Sequence, residues 1–251
     1  MSYEIITVSW NPEQTRIWKY WIAKNCPTAD VYTIPDRRPF RYCWSGAKVD
    51  CWLYGFKGRR IIYLDTDVVV TRDMEEVFDM MGDCPIGASV NLKLDRLATR
   101  YAHLMPEMRK QYKLKIHKPP NISSGMIICN NYDPELIYGM WAEMMNDELF
   151  QKKLAKHYTC EEYAISLGVA KYLTHYSKLW QIPNDIHGNI YHGSTQFGGA
   201  RRPMVIHYHR PQWLVRHHLE EYLDVGDSNP VRKGQKAVQS VQRGDEPPAA
   251  K

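Results

Sequence analysis

Apolar positions along the chain fall into short unbroken blocks, separated by longer stretches with helical spacing. The first block, EIITVSW at 4–10, reads as a strand. From Pro12, the residues Arg16, Ile17, Trp18, Tyr20, Trp21 and Ile22 predict an aromatic-rich helix ending near Pro27. VYTI at 31–34 reads as a second strand closed by Pro35, and a helix is predicted from Ser45 to Tyr54, ending around Gly55. RRIIYLDTDVVV at 59–70 contains the strongest strand signal. Its apolar run is continuous, as in a strand buried on both faces. Further strands are predicted at 86–90 (IGASV), 124–130 (SGMIICN) and 204–209 (MVIHYH), with helices over 134–147 and around 160–173. Strands alternating with helices give an α/β fold, a mostly parallel sheet with helices on both faces.

Two stretches break the pattern. After Leu223 the chain has no aromatic residue and no sustained apolar face, so 224–251 is expected to be a flexible tail on a single domain spanning 1–223. Residues 92–121 form a basic insertion with Lys93, Arg96, Arg100, Arg109, Lys110, Lys113, Lys115 and Lys118 opposed by only Asp95 and Glu107. Over the whole chain 33 Lys and Arg against 28 Asp and Glu leave a net charge of +5, which leans towards anionic partners. A hydrophobic fraction of 44% and a charged fraction of 24% exclude collagen-like, coiled-coil and wholly disordered chains. No apolar run approaches the roughly 18 residues of a membrane span, and the amino terminus does not read as an export signal. A cytoplasmic protein is therefore expected. The six cysteines are scattered singly, without zinc-finger spacing, and are expected to be reduced thiols, mostly packed.

Candidate chemistry gathers at a few of these blocks. Asp65 and Asp67 directly follow IIYL. This places two carboxylates at the carboxyl end of a buried strand, where open α/β sheets bind ligands. Carboxylates one residue apart repel unless a cation lies between them, and a divalent metal is the natural partner. His207, at the end of the last strand-like run, could complete the coordination shell, and His209 is a weaker second candidate if that strand continues. In NISSGMIICNN a small hydroxyl pair and Gly125 precede a buried strand, a corner that lets backbone and hydroxyl groups approach a polar ligand. Glu161 and Glu162 open a helix, where they either favour the helix dipole or contact substrate near a reacting carbon.

YLDTD, SSGMIICN, CEEYAIS and IHYHRPQW, in that order, resemble the retaining glycosyltransferases of family 8. The resemblance spans most of positions 1 to 215. It implies the GT-A nucleotide-sugar fold, with a mixed, mostly parallel sheet flanked by helices. It also implies a manganese or magnesium ion on the diphosphate of a nucleotide-sugar, most simply a UDP-sugar, held by Asp65, Asp67 and His207 with Thr66 between the aspartates. Lys48 in SGAKVD matches a basic donor contact. Ser123, Ser124 and Gly125 match a corner touching sugar or acceptor, and Glu161 and Glu162 match a catalytic pair near the anomeric carbon. Val8, Ser9 and Asn11 match the cradle of the base. The chain departs from the family at Ser123, where asparagine is common, and at Glu162, where glutamine is common. It also has Arg210 in place of a diphosphate-binding glycine, where a guanidinium offers a bidentate phosphate contact instead.

The resemblance implies transfer of a sugar to an acceptor hydroxyl with retention of configuration. A covalent route through Glu161 or Glu162 and a front-face route are both compatible with it. The basic insertion is a candidate acceptor lid, suited to an anionic glycan, a wall polymer or a modified DNA base, although no nucleic-acid motif is present. Two other readings fit parts of the sequence. A phosphatase with D-x-D after a strand normally carries it on the first strand, not the third. A non-catalytic nucleotide-sugar-binding module would need the same donor contacts without turnover.

Overall fold

The computed structural model describes residues 3–35, 47–53, 60–90, 105–115, 119–131, 134–153, 160–172, 179–191, 194–197, 202–225 and 239–240. Strands β1 (Glu4–Ser9), β2 (Asp30–Pro35) and β3 (Arg60–Leu64) are the apolar blocks of the amino-terminal part. β1 pairs in parallel with both β2 and β3, as crossover connections require. β4 is Val68–Val70, β5 Ile86–Val90, β6 Ile122–Asn130, β7 Leu179–Gln181, β8 His187–Tyr191, β9 Ser194–Gln196, β10 Val205–His207 and β11 Gln239–Ser240. The strands form a seven-stranded sheet in the order β11-β2-β1-β3-β6-β5-β7 and a four-stranded sheet in the order β4-β10-β8-β9.

β6 runs antiparallel to both of its neighbours, so the large sheet is mixed. The second sheet is a feature that the sequence reading did not anticipate. DTDVVV does not continue the strand before it. The backbone turns at Asp65–Asp67, and β4 leaves the large sheet to pair antiparallel with β10, with Val69 opposite Ile206. Gln239 and Ser240 pair with Tyr32 and Thr33 of β2, while the remainder of the tail beyond Val225 lies outside the described residues.

Alternation along the central strands assigns the two faces of the large sheet. With α2 at Ala47–Asp50 and α3 at Glu76–Met81, Ile5, Ile62, Leu64, Met126 and Ile128 pack with Trp18 and Ile22 of α1 (Pro12–Asn25) and with Val77, Phe78 and Met81 of α3. Ile6, Val8, Ile61, Tyr63, Ile127 and Cys129 face the other way, against α5 (Pro134–Asn146) and α7 (Cys160–Tyr172). Between these lie α4 (Met105–Tyr112) and α6 (Glu148–Lys153). Trp18, Trp52 and Trp141 are almost fully buried, each contributing about 2–3 kcal/mol of apolar burial.

α1 serves both sheets. Its opposite face, with Ile17 and Trp21, packs on Val69, Ile190, Ile206 and Tyr208 of the small-sheet region and on Leu214 of α8 (Pro211–Arg216). The helix starts where the sequence predicts, because Pro12 follows Asn11, whose Oδ1 accepts hydrogen bonds from the backbone N–H groups of Glu13 (2.9 Å) and Gln14 (3.2 Å).

The helix predicted over 45–54 is shorter in the described residues. α2 ends at Asp50 and gives way to a 3-10 turn over Cys51–Leu53. Of the basic insertion, 92–104 and 116–118 lie outside the described residues. The described part forms α4, anchored in the core by Met108 and Tyr112, and the Tyr112 hydroxyl bonds to the Asp147 carboxylate. No described helix is long and apolar enough to cross a membrane.

Candidate functional site

The turn joining the two sheets carries the D-x-D. Asp65 leaves the end of β3 and its backbone N–H donates to the Gly125 carbonyl at 3.0 Å. Thr66 is buried, and the Asp67 carbonyl accepts from the Tyr208 N–H at 3.0 Å, just beyond β10. The two carboxylates therefore start from opposite sides of the junction, one fixed to each sheet.

The SSG corner meets this turn through an irregularity in β6. Pairing with β5 jumps from Ala88–Ile127 to Ser89–Ser123, so Ser124, Gly125 and Met126 have no partners in that register. Such a bulge re-aims a strand beside a site. Gly125 is required by close approach. A Cβ there would lie 2.5 Å from Cε1 and 2.7 Å from Nδ1 of His207.

Lys48, from α2, reaches the centre of the cluster. Its Nζ donates to Asp65 Oδ2 at 2.9 Å and to Ser124 Oγ at 3.1 Å, and lies 3.8 Å from Glu161 Oε1. Burial alone would push the Lys48 pKa down. The carboxylates of Asp65 and Glu161 outweigh it and hold the group above the usual lysine value, so the ammonium stays charged. Tyr63, two residues before Asp65 on the same face, donates its hydroxyl to Asp65 Oδ1 at 2.6 Å. Burial first and then the Asp65 charge raise the Tyr63 pKa well above the ordinary phenol value. Ser124 links the centre to α7. Its Oγ donates to Glu161 Oε1 at 3.2 Å, and its N–H to Glu162 Oε1 at 3.4 Å. Glu161 is buried and its Oε2 has no hydrogen-bond partner, whereas Glu162 is half-buried.

On the small-sheet side, His207 Nε2 lies 3.1 Å from Asp67 Oδ1. Burial pushes the Asp67 carboxyl up, but the His207 charge prevails and holds it well below the usual carboxylate range. Conversely, burial pushes His207 down and Asp67 more than restores it, to above the ordinary histidine value. His207 stacks on His209, with centroids 3.9 Å apart, and on His187 at 5.5 Å. Burial, with the His207 charge adding, lowers His209 to about 3 and drives His187 well below its usual value. The strand predicted to continue through His209 stops at His207. His209 has φ +54°, so the backbone turns left-handed there and brings the ring back beside His207 before Pro211 opens α8.

The predicted residues thus fall into three groups. Lys48, Asp65, Asp67, Ser124, Gly125, Glu161 and His207 converge, with Thr66 inside the turn, Glu162 at the margin and Ser123 next to the corner. Val8 and Ser9 sit at the end of β1, two and three residues beyond Ile6, which pairs with Tyr63. The Val8 side chain is buried in the core, Ser9 Oγ bonds to Thr15 Oγ1 at 3.0 Å, and Asn11 Oδ1 is taken by its helix cap. From these three a base would meet chiefly backbone and the exposed amide of Asn11. Arg210 is exposed, and its guanidinium lies 5.7 Å from the Trp213 ring.

Three residues escaped the sequence reading. Tyr63 had a signal, the two-residue spacing that puts it on the face of Asp65. Ser89 and His187 had none, because they bond to each other 98 positions apart, behind His207.

No family model and no curated protein matches the chain. Solved structures do. The galactosyltransferase LgtC, in complex with donor and acceptor sugar analogues, matches with a TM-score of 0.56 at 12% identity, over 91% of this chain and 97% of that one. The apo glycosyltransferase GlyE of Streptococcus pneumoniae TIGR4 matches with a TM-score of 0.55 at 11% identity, over 89% of this chain and 60% of that one. Mouse xyloside xylosyltransferase 1 in its apo form gives 0.50 at 12% identity, over 83% and 98%. The chain has a GT-A fold like that of these glycosyltransferases, with the mixed, mostly parallel sheet flanked by helices that the resemblance implies.

Proposed function

We propose that the protein is a metal-dependent glycosyltransferase that moves a sugar from a nucleotide-sugar, a UDP-sugar in the simplest case, to an acceptor hydroxyl with retention. The observation that carries this reading is the charge imbalance of the cluster. Asp65, Asp67 and Glu161 meet one lysine and one histidine, all within the hydrogen-bonded set described above. Carboxylates so far removed from water call for a further cation. Their hard oxygens, with the imidazole of His207, suit manganese or magnesium. His207 Nδ1 is buried without a hydrogen-bond partner, so this ring has coordination capacity that the protein does not use. Asp67 and His207 would hold the ion, with Asp65 beside it, and the metal would supply positive charge to the diphosphate as it leaves.

The other steps belong to side chains. Lys48 is a buried, fixed ammonium, a preorganised donor for a diphosphate oxygen that gains charge as the glycosidic bond breaks. Asp65, Ser124 and Glu161 hold Lys48 in place. Glu162, more exposed than Glu161, is the carboxylate able to meet the sugar near its anomeric carbon, while Ser123 and Gly125 form the floor beside it. Val8, Ser9 and Asn11 border the base, and Arg210 contacts phosphate in a closed complex. The acceptor is a glycan hydroxyl, and Arg109, Lys110, Lys113 and Lys115 on and after α4 favour an anionic one.

Titration calorimetry with UDP and UDP-glucose, in manganese and in chelator, tests the donor part. Metal-dependent binding that disappears in the Asp65→Ala/Asp67→Ala protein is expected. Absence of binding across UDP-, GDP-, CDP- and dTDP-sugars would refute it. Binding without turnover over a broad acceptor panel would instead identify a non-catalytic module.

A further inference from the structure

We propose that His209 is a protein ligand of the divalent cation, forming with Asp67 and His207 a donor set of two imidazoles and one carboxylate. The inference rests on the metal-dependent part of the reading above and goes beyond it by changing who holds the ion and which ions are held.

Geometry is the first support. The donor atoms of Asp67, His207 and His209 all lie within 4.8 Å of one another. Two donors about 2.1 Å from a common ion are about 3 Å apart at right angles and about 4.2 Å apart on opposite sides, so this grouping needs little rearrangement to close on a metal. The near-parallel rings of His207 and His209, 29° from coplanar with centroids 3.9 Å apart, put two nitrogen donors side by side next to one carboxylate.

The backbone is the second support. His209 has φ +54°, a conformation that costs a side-chain-bearing residue of the L series about 1–2 kcal/mol. Without it, alternation past His207 would be set by β10 alone. The left-handed step lets Tyr208 bury its ring in the hydrophobic cluster with Ile17 and Trp21 while His209 returns to the side of His207. A strained residue next to a functional group motivates a functional role for the ring it presents.

Asp65 supplies the third. Its Oδ2 accepts from Lys48 and its Oδ1 from Tyr63, so both oxygens already have close partners. Asp65 acts on the diphosphate by fixing Lys48. His209 takes the ligand position that a second aspartate would fill. Three protein donors leave about half of a six-coordinate shell for diphosphate oxygens and water. Two nitrogens in three also shift preference away from magnesium, which favours oxygen, towards manganese and later first-row ions.

The test is Mn2+ and Mg2+ titration of the chelator-stripped full chain, without nucleotide, comparing wild type with His209→Asn and Asp65→Asn. Asparagine tolerates the left-handed conformation best among residues with a side chain, so His209→Asn removes the imidazole and keeps the turn. Circular dichroism checks the fold of each protein. Wild type is expected to bind Mn2+ more tightly than Mg2+, and His209→Asn to weaken Mn2+ by about 10- to 100-fold and narrow the Mn2+/Mg2+ gap. Asp65→Asn should cost less. Electron spin echo modulation of bound Mn2+ should show nitrogen coupling from two imidazoles in wild type and one in His209→Asn. Wild-type Mn2+ affinity in His209→Asn, or modulation unchanged by the substitution, overturns the inference and leaves the donor reading intact. A wild-type protein that binds neither ion overturns both.

Discussion

Replacing Gly125 with alanine probes the packing on which the site depends. The added Cβ would sit 2.5 Å from His207 Cε1 and 3.5 Å from Asp65 Oδ2. Carbon atoms at rest lie about 3.5 Å apart, so the ring or the β6 backbone must retreat by about 1 Å. The ring has little room. His207 is only 4% exposed, stands between His187 and His209, and belongs to an interior strand of the small sheet. A 1 Å retreat would stretch the 3.1 Å contact to Asp67 to about 4 Å, beyond hydrogen-bond range. Overpacking costs about 1–3 kcal/mol and loss of a charge-assisted hydrogen bond about 1.5–3 kcal/mol. These overlap, because one movement relieves part of the strain by breaking the bond, so a total of about 2–4 kcal/mol is expected. For a chain of this size that is a fall in Tm of about 5–15 °C, read by circular dichroism in chelator. The rise in Tm on adding manganese should shrink in the same variant. Gly139→Ala is the control. It lies in α5 with nothing within 4 Å of its Cβ, and should be neutral or slightly stabilising. A Gly125→Ala protein with wild-type Tm and a wild-type response to manganese would refute the reasoning, since His207 could not then lie against Gly125.

Lys48→Met keeps the aliphatic stem but leaves Asp65 and Glu161, whose side chains are 13% and 5% exposed, without their cation. Breaking a buried pair in this way costs about 3–5 kcal/mol. Chemical denaturation should show that loss, with Glu161→Gln in the same chain recovering part of it; a loss under about 1 kcal/mol would mean that water reaches these carboxylates. In chelator, stability should fall as pH drops from about 6.5 towards 4. His187 and His209 have folded pKa values below their unfolded ones, so the unfolded chain takes up protons in this window that the folded chain refuses. The raised His207 acts oppositely: its contribution is fully present below about 6.5 and fades as pH rises through its folded value. A His187→Leu protein should show a shallower acid slope, and an unchanged slope would assign the loss to other groups.

Much of the scaffold was legible because its signals are local. The unbroken runs IIYL and MIICN, each buried on both faces, mark β3 and β6, and Asn11-Pro12 marks the start of α1. The position of Asp65 and Asp67 at a strand end was legible for the same reason. Direction and partner were not. Nothing within SGMIICN says that it runs against β3, and nothing within Val68–Val70 says that its partner is Val205–His207, more than 130 positions later, in another sheet. Lys48 came from family resemblance. Its own neighbourhood carries no sign that its ammonium would reach Asp65 and Ser124, which lie 17 and 76 positions away. His209 was read as a strand residue because alternation was the available rule, and a left-handed turn before Pro211 is set by the burial of Tyr208 rather than by the period of the strand.

The order of strands in the small sheet also sets when the protein acquires its site. β10 lies between β4 and β8, and β4 has no other partner among the described strands. During synthesis β4 emerges early and must wait for some 135 further residues before its edge is covered. A nascent chain that has not yet reached His207 therefore leaves Val68–Val70 without this partner and Asp67 without its histidine, so under the proposed metal-dependent reading metal capture would report completion of the fold. Until then the unpaired valine edge is a place for chaperones to bind and for copies to stick together, and the proposed ion would arrive as a seal on a finished molecule rather than as a seed for folding.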